Sequence, residues 1–266
     1  MATKLGDYTF EDFGLIEEFG HVHPSIPEIS ENTLAIPGRR GLLSFGTNVG
    51  AKHFSFPVKV FVSDRYERQR SKNKLVAFLF DEYMQPREFK LVFDYEPDKY
   101  YIAKISNQIT PEMLFQMDQF DVSLVANDPT KYFLVDADEI RMGSHIPVRS
   151  HVRPARHSFV ITNNQTVKLM NDGNLAIRPR ISISGTATSL TVRNTKNNKT
   201  FKMTNIIATK PIIIEGNTYM VTEGGVDTFS KLLGDFIDLI PGENNISITG
   251  EGINLDISFK YRTEFM

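Results

Sequence analysis

The chain has 266 residues, 41% hydrophobic and 23% charged, with 30 Lys/Arg against 32 Asp/Glu and a net charge of −2. Those proportions suit a folded protein of one large domain or two medium ones. The near-neutral balance argues against a generic nucleic-acid binder, whose affinity rests on excess positive charge. The absence of cysteine removes disulfides, thiolate zinc sites, iron–sulfur clusters and cysteine nucleophiles together.

The opening MATKLGDYTFEDFG has no apolar run of the kind an export signal needs. The longest apolar stretch, Leu75–Phe80, falls far short of the roughly 18 residues that span a bilayer. Synthesis in a cytoplasm, with no membrane partner, is the expectation. The charge is unevenly spread. Residues 1–140 carry 15 Lys/Arg and 22 Asp/Glu, net −7, and residues 141–266 carry 15 and 10, net +5. Such asymmetry suggests two modules. The change falls in Arg141–His157, which holds four Arg, three His, two Pro and no acid and reads as a linker. The expected division is 1–140, a linker at 141–157, and 158–266, with two destinations open for the final strand INLDISFKY: completing the second module or returning to the first.

The first half reads as mixed α/β. Residues 58–62, VKVFV, form an apolar strand candidate. Asp64 is a good N-cap with Glu67 three residues on, as in a capping box. Leu75, Phe78 and Leu79, with Tyr66 and Tyr83 further out, fit one helical face, and Arg65, Arg68, Lys72 and Glu82 form a face that water can solvate. One helix is expected near 64–83. Residues 89–95, 100–105 and 120–126 alternate in polarity as half-buried strands do. The second half reads almost entirely as short strands: SFVITN, TVKLMN, IRPRISISG, SLTVRN, TFKMTN, PIIIEG, TYMVTE, NISITG and INLDISFKY. Turn residues at roughly 8–12-residue spacing separate them, the pattern of a β-sandwich or barrel. Only residues 229–240 suit a helical turn.

Candidate chemistry is sparse. His21 and His23 place two imidazoles on one side of a strand, but no third metal ligand is fixed by the sequence. Asp136, Asp138 and Glu139 begin like a calcium loop, yet Arg141 stands where that loop needs glycine, so a solvated acidic turn is expected. Ser71–Lys74 matches S-x-x-K without its companion motifs. P-loop, GxGxxG, GxSxG and HExxH patterns are absent. No catalytic residue, metal or cofactor is assigned. The acid-free stretch has two readings: a solvated linker, or a basic strip of Arg141, Arg149, Arg153 and Arg156 that docks on an acidic neighbour.

Four passages in order carry a resemblance. IPGRRGLLSFG at 36–46 holds a Pro-Gly-Arg turn leading into a strand. KLVAFLFDE closes the helix and is followed by FKLVFDYEPDKYYIAKI at 89–105. NDGNLAIRPRISISG at 171–185 and IPGENNISITG at 240–250 complete the set. The chain thereby resembles the distal tail proteins, the baseplate hubs of long-tailed phages of Gram-positive bacteria. Residues 141–157 match no landmark of that family.

The resemblance implies a mainly β fold: an N-terminal β-sandwich with one α-helix and a C-terminal galectin-like β-sandwich. It implies a structural virion protein at the tail tip, not an enzyme. Its partners would be five further copies in a hexameric ring, the tail tube protein, the tail-associated lysin or spike, and receptor-binding or other baseplate proteins. DNA would pass through the ring without sequence-specific contact. Pro37, Gly38, Arg39, Arg40 and Gly41 form the family turn, with an assembly role expected for them. The acidic first half would suit an acidic lumen along which phosphates slide. A host-glycan-binding module is the alternative reading, although the chain has no tryptophan for sugar stacking. A cell-wall hydrolase is the third.

Overall fold

The computed structural model describes residues 3–139 and 156–266. The protein is mainly β and divides into two compact units, Met1–Lys131 and Tyr132–Met266. The expected linker therefore lies outside the described residues except for Arg156 and His157.

The first unit is built on one long antiparallel pair. Lys52–Phe61 runs against Met117–Ala126 in register from Met117↔Phe61 to Ala126↔Lys52. Even-numbered residues of the first strand point inward, so Phe54, Phe56, Val58 and Val60 are buried, as period-2 alternation requires. Met117–Ala126 also touches Lys99–Ile105, which pairs in turn with Phe89–Val92. Short N-terminal strands at Lys4–Leu5 and Ile16–Glu17 close the two ends of this set. Phe10, Phe13, Leu15, Leu91, Phe93 and Tyr101 complete a strongly aromatic core.

The one α-helix, Arg65–Leu79, packs Leu75 and Leu79 onto that core. Asp64 caps it by accepting from the Tyr66 N–H at 2.9 Å. Glu67 does not close the expected box but pairs with Arg70. Two further expectations for this helix fail. It stops at Leu79 because Asp81 accepts from the N–H groups of Tyr83 and Gln85 and turns the chain, a local bond that competes with helix. And Arg68 and Lys72, assigned to the solvated face, are buried at 3% and 8% exposure, while Tyr66 and Tyr83 stand in water. The physical reason is Asp118. Its carboxylate takes Lys72 Nζ at 2.7 Å and the Arg68 guanidinium at 3.2 Å.

The second unit is a sandwich of antiparallel strands around a mostly aliphatic core that includes Ile181, Ile183, Leu190, Val192, Ile246, Ile248 and Ile257, with Phe201 among them. Two segments read as separate strands in each case are single long ones, Arg180–Asn194 and Thr200–Glu215. The first changes partner along its length. Residues 180–186 pair with Asn254–Lys260, and residues 189–194 pair with Gly242–Glu251. On its other side, the pairing with Thr200–Glu215 shifts register between Ile183 and Gly185, just before this change of partner, and Gly185 has φ +109°. Asn254–Lys260 lies between Ser158–Ile161 and Arg180–Asn194, so the INLDISFKY segment belongs to this sheet. Three buried asparagines, Asn171, Asn194 and Asn244, tie down the turns by donating to carbonyls at 175, 238, 239, 240 and 242. The helical turn expected within 229–240 is a short 3-10 turn at Phe229–Lys231.

Candidate functional site

The feature that does not belong to either core is a β-hairpin, Ile29–Ala35 with Leu42–Val49. Its two strands pair with each other and, among the described residues, with nothing else. Every residue in them is exposed except the half-buried Leu43. Ile29, Leu34, Leu42, Phe45 and Val49 all present apolar surface to water. A lone two-stranded ribbon is marginal in water, and apolar surface gathered on one projecting element marks an interaction site. Sequence reading found the second strand but missed Ile29–Ala35, whose ISENTLA holds no clean alternation.

The tip is the predicted family turn. Ile36 accepts from the Arg39 N–H at 3.1 Å. Pro37 sits at the second position and Gly38, with φ +82°, at the third, the arrangement of a type II turn. Gly41 is also left-handed at φ +80°. A Cβ on either glycine would meet nothing within 4 Å, so backbone conformation alone demands glycine there. Arg39 and Arg40 project into solvent. The base is held by Glu28 N–H to the Ala51 carbonyl and Gly50 N–H to the Glu28 carbonyl, at 3.1 and 2.8 Å.

The other predicted residues fall elsewhere. Arg141, Arg149 and Arg153 lie outside the described residues. Arg156 is exposed, donates through Nε to the Ser158 carbonyl at 2.8 Å and stacks over Phe159. Asp136 is not simply solvated, since Arg262 and Lys260 pair with it at 2.7 and 3.1 Å.

His21 and His23 join an aromatic column. Both reach the Tyr95 hydroxyl, at 3.3 and 2.6 Å, and the His23 ring lies 4.3 Å from the Phe93 centroid. Lys52, almost fully buried, donates to the Tyr101 hydroxyl at 3.0 Å. Burial, then the ammonium groups of Lys131 and Lys52, press the His23 pKa down to about 4. A folded pKa below the unfolded 6.5 means the unfolded chain binds the extra proton between those values, so His23 withdraws stability as pH falls from about 6.5 to about 4. His23→Phe keeps the stack and removes the titration. Thermal melts across that window are expected to lose less stability in the variant than in the unsubstituted chain; parallel curves would contradict the assignment.

The comparisons follow from this architecture. Residues 8–126, which contain the hairpin, match the family model of the phage tail protein RIFT-related domain. No curated protein matches the sequence. Among solved structures, the Dit protein of phage SPP1, described as a paradigm of the hub adsorption apparatus in phages infecting Gram-positive bacteria, is 16% identical. The likeness covers 100% of this chain and 99% of that one at a TM-score of 0.72. A chain of the phage p2 baseplate in its activated, calcium-bound conformation is 10% identical at a TM-score of 0.40, over 97% and 94% of the two chains. The resemblance carried by the turn, helix and strand passages is thus borne out at the level of domain match and fold: residues 8–126 match the phage tail protein RIFT-related domain, and the chain as a whole has the fold of the SPP1 Dit protein.

Proposed function

We propose that this protein is a structural hub of the phage tail tip, a hexameric ring joining the tail tube to the tail-associated lysin or spike and supporting receptor-binding proteins. The observation that carries the reading is the unpartnered hairpin inside the phage tail domain. Head-to-tail contacts that close by rotation generate rings. A projecting ribbon with open edges and exposed apolar side chains is suited to covering a neighbouring copy. DNA passes through the ring, and the acidic balance of residues 1–140 favours a lumen that repels phosphate. The work is mechanical, not catalytic.

Light scattering on the purified chain tests this. A mass near six times 30.2 kDa, with a central hole in negative-stain images, is expected, and dissociation by salt would implicate ionic subunit contacts. A monomer at every concentration, both alone and mixed with tail tube protein, would contradict it. Gly38→Val probes the hairpin itself. Forcing a β-branched residue to φ +82° strains the tip by about 1–3 kcal/mol, while the tip touches neither core. The expected result is loss of the ring with soluble, folded monomer retained. Loss of the soluble monomer would assign the tip to folding instead.

A second reading, binding of host glycans, draws support from a groove of about 390 Å³ on the second unit. Ser158, Ser182, Ser184 and Ser258 line it together with Asp256 and Arg156. Cross-strand pairing sets Ser158, Ser258 and Ser182 in one row, a hydroxyl-rich face suited to sugar hydroxyls. A glycan array separates this reading from a pure adaptor.

A further inference from the structure

A second uncovered surface lies on the helix. A groove of about 250 Å³ runs between Lys72 and Val76 of the helix and the segment holding Ile109, Pro111 and Met113, with Phe120 beneath. Met113 is 70% exposed and Val76 47%, so the walls are apolar and open. Met113 belongs to a tight hairpin, Glu112–Met113 against residues 118–119, which the Arg68 guanidinium pins to the helix through the Leu114 carbonyl at 3.0 Å.

The charge under this groove is not balanced. Arg68 and Lys72 share the single carboxylate of Asp118. Among the described residues no second acid pairs with either cation, and the buried Arg68 Nε has no hydrogen-bond partner. Gln69 and Asn73, on the rim, bond to each other at 2.9 Å and add no charge. A surplus cation held at low exposure is costly by itself and favours a carboxylate delivered from outside. Lys72 is the member of the cluster that also lines the groove.

We propose that this groove docks an extended segment of a partner protein, which sets an aliphatic side chain against Val76, Ile109 and Met113 and a neighbouring carboxylate against Lys72. The inference stands on the first unit alone and does not depend on ring formation.

The test is methyl NMR on the full chain, titrated with the peptide acetyl-Ser-Leu-Asp-Leu-Ser-amide and with its Asn counterpart. The Asp peptide is expected to shift the Ile109 and Met113 methyl signals and to bind about tenfold more tightly than the Asn peptide, the scale of one charged hydrogen bond. Lys72→Met should erase that preference. Because Lys72 belongs to a buried ion cluster, Met113→Glu supplies a variant with no folding role: its new carboxylate should repel the Asp peptide and leave the melting temperature unchanged. Absence of shifts, equal affinity for the two peptides, or indifference to Met113→Glu would overturn the proposal. A fall in oligomer mass caused by Met113→Glu would also overturn it, by making a second copy of this chain the occupant. Equal shifts from octanoate would do the same, by making the site a general aliphatic-carboxylate pocket.

Discussion

Asp118→Ala is expected to lower the stability of the first unit by about 3–5 kcal/mol, the range for breaking a buried ion pair by removing one partner. The carboxylate holds Lys72 at 2.7 Å and Arg68 at 3.2 Å, and all three side chains are nearly excluded from water. Removing it leaves two like charges buried side by side with only the Leu114 carbonyl still bound to Arg68. Asp118→Asn should cost nearly as much, because shape is kept and charge is not. The informative control is the triple replacement Arg68→Met, Lys72→Met, Asp118→Leu. Apolar side chains of similar volume commonly replace a buried ionic cluster without loss, so the triple variant should be far more stable than Asp118→Ala. Urea unfolding midpoints measure all of these. A loss under about 1 kcal/mol for Asp118→Ala would show that water reaches the cations and that the cluster is not a buried one.

Gly185→Ala is expected to destabilise the second unit by about 3 kcal/mol or more, combining backbone strain with a steric collision. Gly185 has φ +109°, and a Cβ there would run into the Asn254 carbonyl oxygen. That oxygen belongs to the strand with which residues 180–186 pair, so relief requires separating two paired strands just before the long strand changes partner. Gly225→Ala isolates the conformational part. Gly225 has φ +89° with nothing within 4 Å of an added Cβ, and about 1 kcal/mol is the expected cost. Similar losses for the two variants would mean that the strands at Gly185 part freely and that this close approach is not a fixed corner of the fold.

Much of the architecture was legible because alternation writes burial directly into sequence. In VKVFV and FDVSLVA the inward residues are the apolar ones, and the strands are where that pattern places them. The long strand Arg180–Asn194 was divided because Gly185 and the small residues after it resemble a turn, whereas the pairing with Asn254–Lys260 runs through Gly185 to Thr186 without a break. The helix was found from its cap and apolar spacing, but its buried face was misassigned. Arg68 and Lys72 look like solvated cations until the carboxylate of Asp118, 46 positions beyond Lys72, comes into contact, and such a partner has no local signal. The hairpin was half visible. Its Pro-Gly turn is explicit, but a strand that buries nothing leaves no hydrophobic period, so Ile29–Ala35 carried no mark of its own. The arginine strip remains a proposal of charge alone, since only Arg156 lies among the described residues and it is engaged with its own chain.

The open hairpin has a consequence for the chain before it meets any neighbour. Among the described residues its two outer edges offer unpaired N–H and carbonyl groups, and such edges recruit strands from any source. Arg39 and Arg40 at the tip act as charged gatekeepers, but in the two strands the exposed Glu31, beside a register irregularity, is the one charged residue. A newly made subunit is therefore in a race between productive capture and clumping, and the race is second order in its own concentration. Timing of supply then matters as much as affinity: a cell making this chain faster than its neighbours can take it up loses it to aggregation, with the folded cores intact.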